Sequence, residues 1–173
     1  AYDDLIENNT RRIGVLEETV RSYWAAWLLT AQATSIPLGK LVSLVRTPVD
    51  PGTVEPTTPY LGLEHIPRRS FDLSEYGSAQ SITSTKIVFK TGDILFGKIR
   101  PYFHKVGPAP YDGITSSDTV VMRPHDSLDF AAVLLCVSSD LFVAEINQKA
   151  NGAKMPRASW SDMSAYQVVC GTQ

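Results

Sequence analysis

The chemistry available to this chain is concentrated in its cations. Lys86, Lys90, Lys98, Arg100 and Lys105 fall within twenty residues against one acid, Asp93, with Tyr102, Phe103 and His104 among them. Lys149, Lys154 and Arg157 form a second group beside an Asn151-Gly152 turn, and Arg68-Arg69 a third, diluted by Asp72 and Glu75. In loops such groups can contact phosphates, and Arg, Lys, Asn or Gln can pair with base edges. A solvated charged surface has the same composition, so the residues alone leave both readings open. If the run after Asp93 continues as a strand, alternation puts Lys98 and Arg100 on one face, with Tyr102 following beyond Pro101.

Other chemistries find less support. Gly92 to Lys98 fits GxxxxGK, but Ile99 stands where a hydroxyl would hold Mg²⁺. Its interior, Asp93-Ile94-Leu95-Phe96, has the texture of a strand and not of a flexible phosphate cradle. A turn, a strand and a small residue packed closely at Gly97 is the plainer expectation. His65, His104 and His125 stand alone, without the spacing of metal ligands. Neither a G-x-S-x-G elbow nor a G-x-G-x-x-G turn is present, nor an Asn/Asp-Pro-Pro-aromatic methyl-transfer motif. Ser116-Ser117-Asp118 reads as a turn feeding a strand. Cys136, inside AVLLCV, reads as a small buried hydrophobe. The expectation is a chain without catalytic residues, metal or cofactor of its own.

The elements that would position these residues follow from pattern. In 173 residues with 43% hydrophobic and 20% charged side chains there is material for one domain, or one domain plus an appendage. The net charge of −2 does not announce a nucleic-acid binder, but binding needs only a local patch. No run of about 18 apolar residues suggests a membrane span. With no signal peptide in view, a cytoplasmic location is the default expectation. The chain opens at Ala1 inside a helical pattern, as a processed chain or an excised fragment would.

From Tyr2 to Ala33 apolar residues recur every seven positions, at Ile6, Ile13, Val20 and Trp27, with Asn9, Leu16 and Tyr23 three residues on. These are the a and d positions of a heptad, and Asn9 suits a register device. The pattern predicts one long helix over residues 1–34, a helix–helix element ended by Ser35-Ile36-Pro37. An amphipathic helix packed on its own domain is the alternative. Beyond it, residues 35–173 predict a mixed α+β domain. Residues 47–59, with four prolines, read as a loop. Strands are expected at 60–63, 85–89, 93–99, at the end of 114–124 and at 167–170. A helix is expected over 128–147 and a helical turn over 161–166.

Four stretches, taken in order, resemble the specificity subunits of type I restriction–modification systems. YDDLIENN (2–9) with RRI (11–13) and LE (16–17) looks like their conserved-region helix. IPLGKL (36–41), TGDILFGKIRPY (91–102) with SSD (116–118), and GAKMPR (152–157) look like their target recognition domain. The resemblance implies a non-catalytic reader of duplex DNA. In that family two recognition domains, held apart by conserved helices packed antiparallel, each read one half of a split target. Modification subunits bring S-adenosylmethionine and methylate adenine, and a motor-nuclease restriction subunit cuts. On this reading Lys98, Arg100, Tyr102, Lys105, Lys154 and Arg157 are the expected DNA contacts, followed by Arg68, Arg69 and Ser117. Ile6, Asn9, Ile13, Leu16, Val20, Tyr23 and Trp27 form the helix–helix interface. About 30 helical residues span roughly 45 Å, on the order of 13 base pairs, a sensible ruler between two readers. The chain departs from the pattern in having one recognition domain and one helix, and in stopping at Gln173 before a Pro-rich turn and second helix. Half of a longer subunit, or a fragment, is expected, with homodimerisation through the unmated helix face. The rival readings are a coiled-coil adaptor that binds protein and the recognition arm of a fused restriction–methyltransferase.

Overall fold

A computed structural model describes residues 2–30, 33–150 and 154–171. The expected Asn151-Gly152 turn, and part of the 152–157 stretch, lie outside them. Helix α1 (Tyr2–Thr30) leads into β1 (Ala33–Pro37), a 3₁₀ turn (Leu38–Lys40), β2 (Val42–Val45), β3 (Pro48–Val49), a second 3₁₀ turn (Pro51–Thr53) and β4 (Pro59–Leu61). Next come β5 (Gly77–Ser78), a 3₁₀ turn (Ala79–Ser81), β6 (Lys86–Phe89), β7 (Ile94–Gly97), a 3₁₀ turn (Pro101–Phe103), β8 (Val106–Pro108), β9 (Gly113–Thr115) and β10 (Thr119–Pro124). Helices α2 (Ser127–Val137), α3 (Asp140–Lys149) and α4 (Trp160–Ala165) precede a last strand, β11 (Gln167–Gly171).

Alternation along the strands sets the layers. In β7, Ile94 and Phe96 face one core while Leu95 faces another; in β10, Val120 and Met122 face the first and Val121 the second. An antiparallel sheet in the order β2-β10-β7-β8 is therefore apolar on both sides. One side is covered by α2, α3 and α4, through Val133, Val137, Phe142, Ile146 and Met163. The other is covered by a sheet in the order β3-β6-β9-β4-β5, through Leu61 and Phe89. In that second sheet β4 and β9 run parallel. Strands β1 and β11 form a separate antiparallel ribbon. Burying one side chain such as Phe96 contributes roughly 2–3 kcal/mol. Burial pushes the Cys136 thiol up to about 12, which leaves it an inert part of this core.

The fold class is α+β, with a long helix ahead of a mixed helix and sheet domain. Several local expectations are corrected. The helix expected over 128–147 is two helices bent by 66° at Ser138-Ser139. Ser139 Oγ accepts the Phe142 N–H at 3.2 Å and so starts a new helix instead of continuing the old one. The proline-rich 47–59 segment is not only loop, since it holds edge strand β3, which pairs with β6 alone, and a 3₁₀ turn. Helix α1 ends at Thr30, ahead of Ser35-Ile36-Pro37, which belong to β1. Strand β7 stops at Gly97, so Lys98, Arg100 and Tyr102 do not share a strand face. Pro101 has no N–H with which to extend the ladder, and the chain turns into 3₁₀ there instead.

Helix α1 touches the domain through its second half. Glu17, Arg21, Trp24 and Leu28, at spacings of four, three and four, are its partly buried positions together with Trp27. The Glu17 carboxylate accepts the Phe71 N–H at 2.7 Å and the Ser70 hydroxyl at 2.9 Å. The Arg21 guanidinium lies 4.3 Å from the centre of the Phe71 ring and donates to Ser138 Oγ at 2.9 Å. The seam residues Ile6, Asn9, Ile13, Leu16, Val20 and Tyr23 are exposed, and Trp27 is half-buried, stacked 4.9 Å from Trp24. Glu17→Ala is expected to weaken docking of α1 by about 1–3 kcal/mol. A red shift of Trp24 and Trp27 fluorescence and faster proteolysis within α1, with the domain's urea midpoint little changed, would register it.

Candidate nucleic-acid interface

Two cationic segments that are far apart in sequence meet in space. The Lys98 carbonyl accepts the Ala158 N–H at 2.9 Å, and the Arg100 N–H donates to the Pro156 carbonyl at 2.8 Å. Ile99 and Arg157 form an antiparallel bridge between these bonds. The Lys98 N–H donates to the Asp118 carbonyl at 2.9 Å, which brings in the Ser116–Asp118 turn. The 98–105 loop, the 154–158 segment and the Ser117 turn thus emerge together at one end of β7 and β10. Lys98 is half-buried, while Arg100, Tyr102, Lys154, Arg157 and Ser117 are exposed. An Arg157 nitrogen stands 3.7 Å from Asp118 Oδ1.

Phe103, which sequence reasoning did not select, organises the loop. Its ring meets Tyr102 edge to face at 4.8 Å. The Arg68 guanidinium lies 3.8 Å from the ring centre, and that of Arg100 lies 5.9 Å away. Such stacking contributes roughly 0.5–1 kcal/mol at exposed sites. An aromatic flanked by cations is the only signal by which the sequence could have marked it. Around this platform stand the described non-glycine residues with left-handed backbone, Arg69, Arg100 and His104. A main-chain bond of 3.0 Å from the Arg69 N–H to the His104 carbonyl ties the 68–69 segment to the loop.

Not every cation selected from sequence joins the surface. Arg69 turns away from its neighbour Arg68, and its guanidinium meets Asp140 at 2.9 Å and the His104 ring at 3.0 Å. The Lys105 ammonium donates to the Leu63 carbonyl; burial, and after it the charge of Arg68, pushes its pKa below the usual lysine range. Lys86 is buried on β6, donating to Ser84 Oγ at 2.7 Å, and Lys90 pairs with Asp112 at 3.1 Å. The five cations of 86–105 therefore contribute less local charge than their count suggests.

The GxxxxGK stretch is explained by packing. Gly92 adopts φ +85° in the turn before β7. A side chain at Gly97 would meet Leu63 at 3.0 Å and the Lys105 Cβ at 3.2 Å. Asp93 is buried, accepts the Lys90 N–H at 2.8 Å, and takes both arms of the Arg123 fork at 2.7 Å. This ties the start of β7 to β10, and the hydrogen bonds that Arg123 donates to the Asp93 carboxylate raise the arginine's pKa. Among the described residues no cluster of three His, Cys, Asp or Glu side chains could hold a metal ion.

His104 faces the seat of α1. A cavity of about 290 Å³ opens there, lined by Arg21, Trp24, Leu28, Arg69, Asp140 and His104 among others. Burial chiefly, and then the positive charge of Arg69, push the His104 pKa below its ordinary value, with Asp140 opposing and Arg21 adding to the depression. The unfolded chain therefore binds a proton at His104 before the folded one does. The stabilising contribution is complete above about pH 6.5 and is lost as the pH falls below it. His104→Asn, which tolerates the left-handed backbone, is expected to flatten the loss of stability between pH 7 and 5, read as urea midpoints across that range.

No family model matches the chain. Its fold is that of part of the specificity subunit of type I restriction–modification systems. The crystal structure of the HsdS subunit from Thermoanaerobacter tengcongensis superposes with a TM-score of 0.67 at 19% identity, over 80% of this chain and 38% of that one. A structure described under complex assembly and conformational transition of the type I R-M system gives 0.67 at 17% identity, over 80% and 37%. The type I S subunit from M. genitalium gives 0.53 at 12%, over 81% and 34%. At the level of sequence, the chain is similar to the type I restriction enzyme EcoDI specificity subunit of Escherichia coli, with 29% identity over 131 residues. That match takes in 74% of this chain and 28% of the relative, so the chain spans well under half of the proteins it resembles.

Proposed function

We propose that this chain is a non-catalytic DNA-reading part of a type I restriction–modification specificity subunit, with residues 35–173 as a target recognition domain and residues 1–34 as a conserved-region helix. The observation that carries the proposal is the joining of residues 98–100 to residues 156–158, which brings two cationic segments and the Ser117 turn to one end of the central sheet. The similarity to the EcoDI specificity subunit supports it. The surface grips one half of a bipartite duplex target. Lys98, Lys154 and Arg157 contact phosphates, Tyr102 and Ser117 line the same rim, and Lys105 and Arg69 chiefly support the loop. Catalysis resides in partners: modification subunits carrying S-adenosylmethionine, and a restriction subunit. The working location is the cytoplasm, and no single helix among the described residues is long and apolar enough to cross a membrane.

Each phosphate contact releases counterions, so affinity falls with salt in proportion to the number of contacts. Lys98→Ala or Lys154→Ala is expected to weaken binding to all duplex sequences alike and to flatten the log–log salt slope by about one unit. Fluorescence anisotropy on random duplexes from low to moderate salt checks this. An unchanged slope removes the residue from the phosphate contacts. A chain that binds no duplex even at very low salt refutes the proposed function and favours a protein-binding adaptor.

The exposed seam of α1 is proposed as the helix–helix interface. In an intact subunit it meets a second conserved helix, and in this chain alone it pairs with a second copy. Sedimentation at high concentration is expected to show a dimer that Ile13→Asp with Val20→Asp dissociates. A strict monomer refutes the pairing.

A further inference from the structure

We propose that Arg68 and Arg100, held on the ring of Phe103, are the base-reading element of this surface and that the base they read is guanine. The proposal deepens, and rests on, the reading of the surface as a duplex DNA interface. Cations on such a surface do two kinds of work. A lysine is a compact point charge suited to phosphate, whereas the arginine fork can meet the O6 and N7 edge of guanine with two parallel hydrogen bonds. A fork already committed to a carboxylate is poorly placed for that task. Arg69 is committed to Asp140, and Arg157 faces Asp118. On this surface Arg68 and Arg100 instead lie beside an aromatic ring, at 3.8 and 5.9 Å.

An aromatic ring beneath a guanidinium takes none of its N–H donors, so the fork of Arg68, 3.8 Å from the ring centre, and that of Arg100, 5.9 Å away, keep donors to offer a base. The platform is itself fixed. The Phe103 N–H donates to the Arg100 carbonyl at 2.9 Å, and the His104 N–H to the Pro101 carbonyl at 2.9 Å. The Arg69 N–H bond to His104 then brings the side chain of Arg68 over the ring from a separate segment. Less side-chain freedom is lost when such a fork meets its base. The left-handed conformation of Arg100 is a second observation at the same place, because strained backbone clusters at functional sites; Arg69 and His104 share that conformation but meet Asp140.

The test begins with the unaltered chain and a random duplex pool at low salt. The enriched motif is expected to contain at least one guanine. Replacing it by 7-deazaguanine, which lacks the N7 acceptor, is expected to lower affinity by about tenfold. Arg68→Lys and Arg100→Lys keep the charge but not the fork. At least one of them is expected to lose that guanine preference while retaining the wild-type salt slope on random DNA. A motif without guanine, or indifference of the unaltered chain to 7-deazaguanine, overturns the inference and leaves the DNA-binding reading standing. So does full guanine preference in both lysine variants. Failure to bind any duplex overturns both.

Discussion

Both faces of the sheet β2-β10-β7-β8 are apolar, and both have to be covered. Leu95 and Val121 point one way, and Ile94, Phe96, Val120 and Met122 the other. A one-residue slip of register would exchange the two sets and put each against the wrong layer. The pairing Thr119 with Gly97 and Phe96 with Val106 is held by that requirement. It has a consequence at the sheet's edge. Because β7 ends and β8 and β10 begin at the same level, residues 98–105 and the turn 116–118 must leave the sheet side by side. The cationic surface is thus a product of the core's register.

The leading helix divides its labour by face. Glu17, Arg21, Trp24 and Leu28 meet the domain, where directed polar contacts to the Phe71 N–H, Ser70 and Ser138 fix how the helix lies. Hydrogen bonds of this kind contribute modestly to stability but strongly to orientation. Ile6, Ile13, Leu16, Val20 and Tyr23 take no part and stay exposed. An apolar stripe left outward on a helix whose angle is fixed by charges suits an element that carries a second surface at a set distance.

Strands were legible as short apolar runs bounded by turn residues, as at Ile94–Phe96 and Val120–Met122, and the long helix was legible from its sevenfold recurrence. The break at Ser138-Ser139 was harder, because apolar residues continue through it and only a hydroxyl cap ends the first helix. The candidate surface was half legible. Cation counts found the segments, but counting ignores partners, so Lys86 and Lys90 were grouped with residues they do not join. The pairing of 98–100 with 156–158 is non-local, and no periodicity encodes it. Phe103 looked like one ring in the run Tyr102-Phe103-His104 until Arg68 arrived from a distant segment.

The backbone around Phe103 gives the last link between core and surface. Arg69, Arg100 and His104 each hold a conformation that costs a residue other than glycine about 1–2 kcal/mol. Glycine would remove that cost at any of them. It would also remove a fork, or the imidazole that Arg69 and Asp140 share. Main-chain bonds between Arg69 and His104, Phe103 and Arg100, and His104 and Pro101 hold these residues in place regardless. The fold therefore spends part of its packing energy on keeping large polar side chains at turns where small ones would be easier. At Arg69 and His104 those side chains are used within the domain, against Asp140 and each other, whereas Arg100 stands exposed 5.9 Å from the Phe103 ring, where a strained turn fits a side chain needed for what it can reach outside.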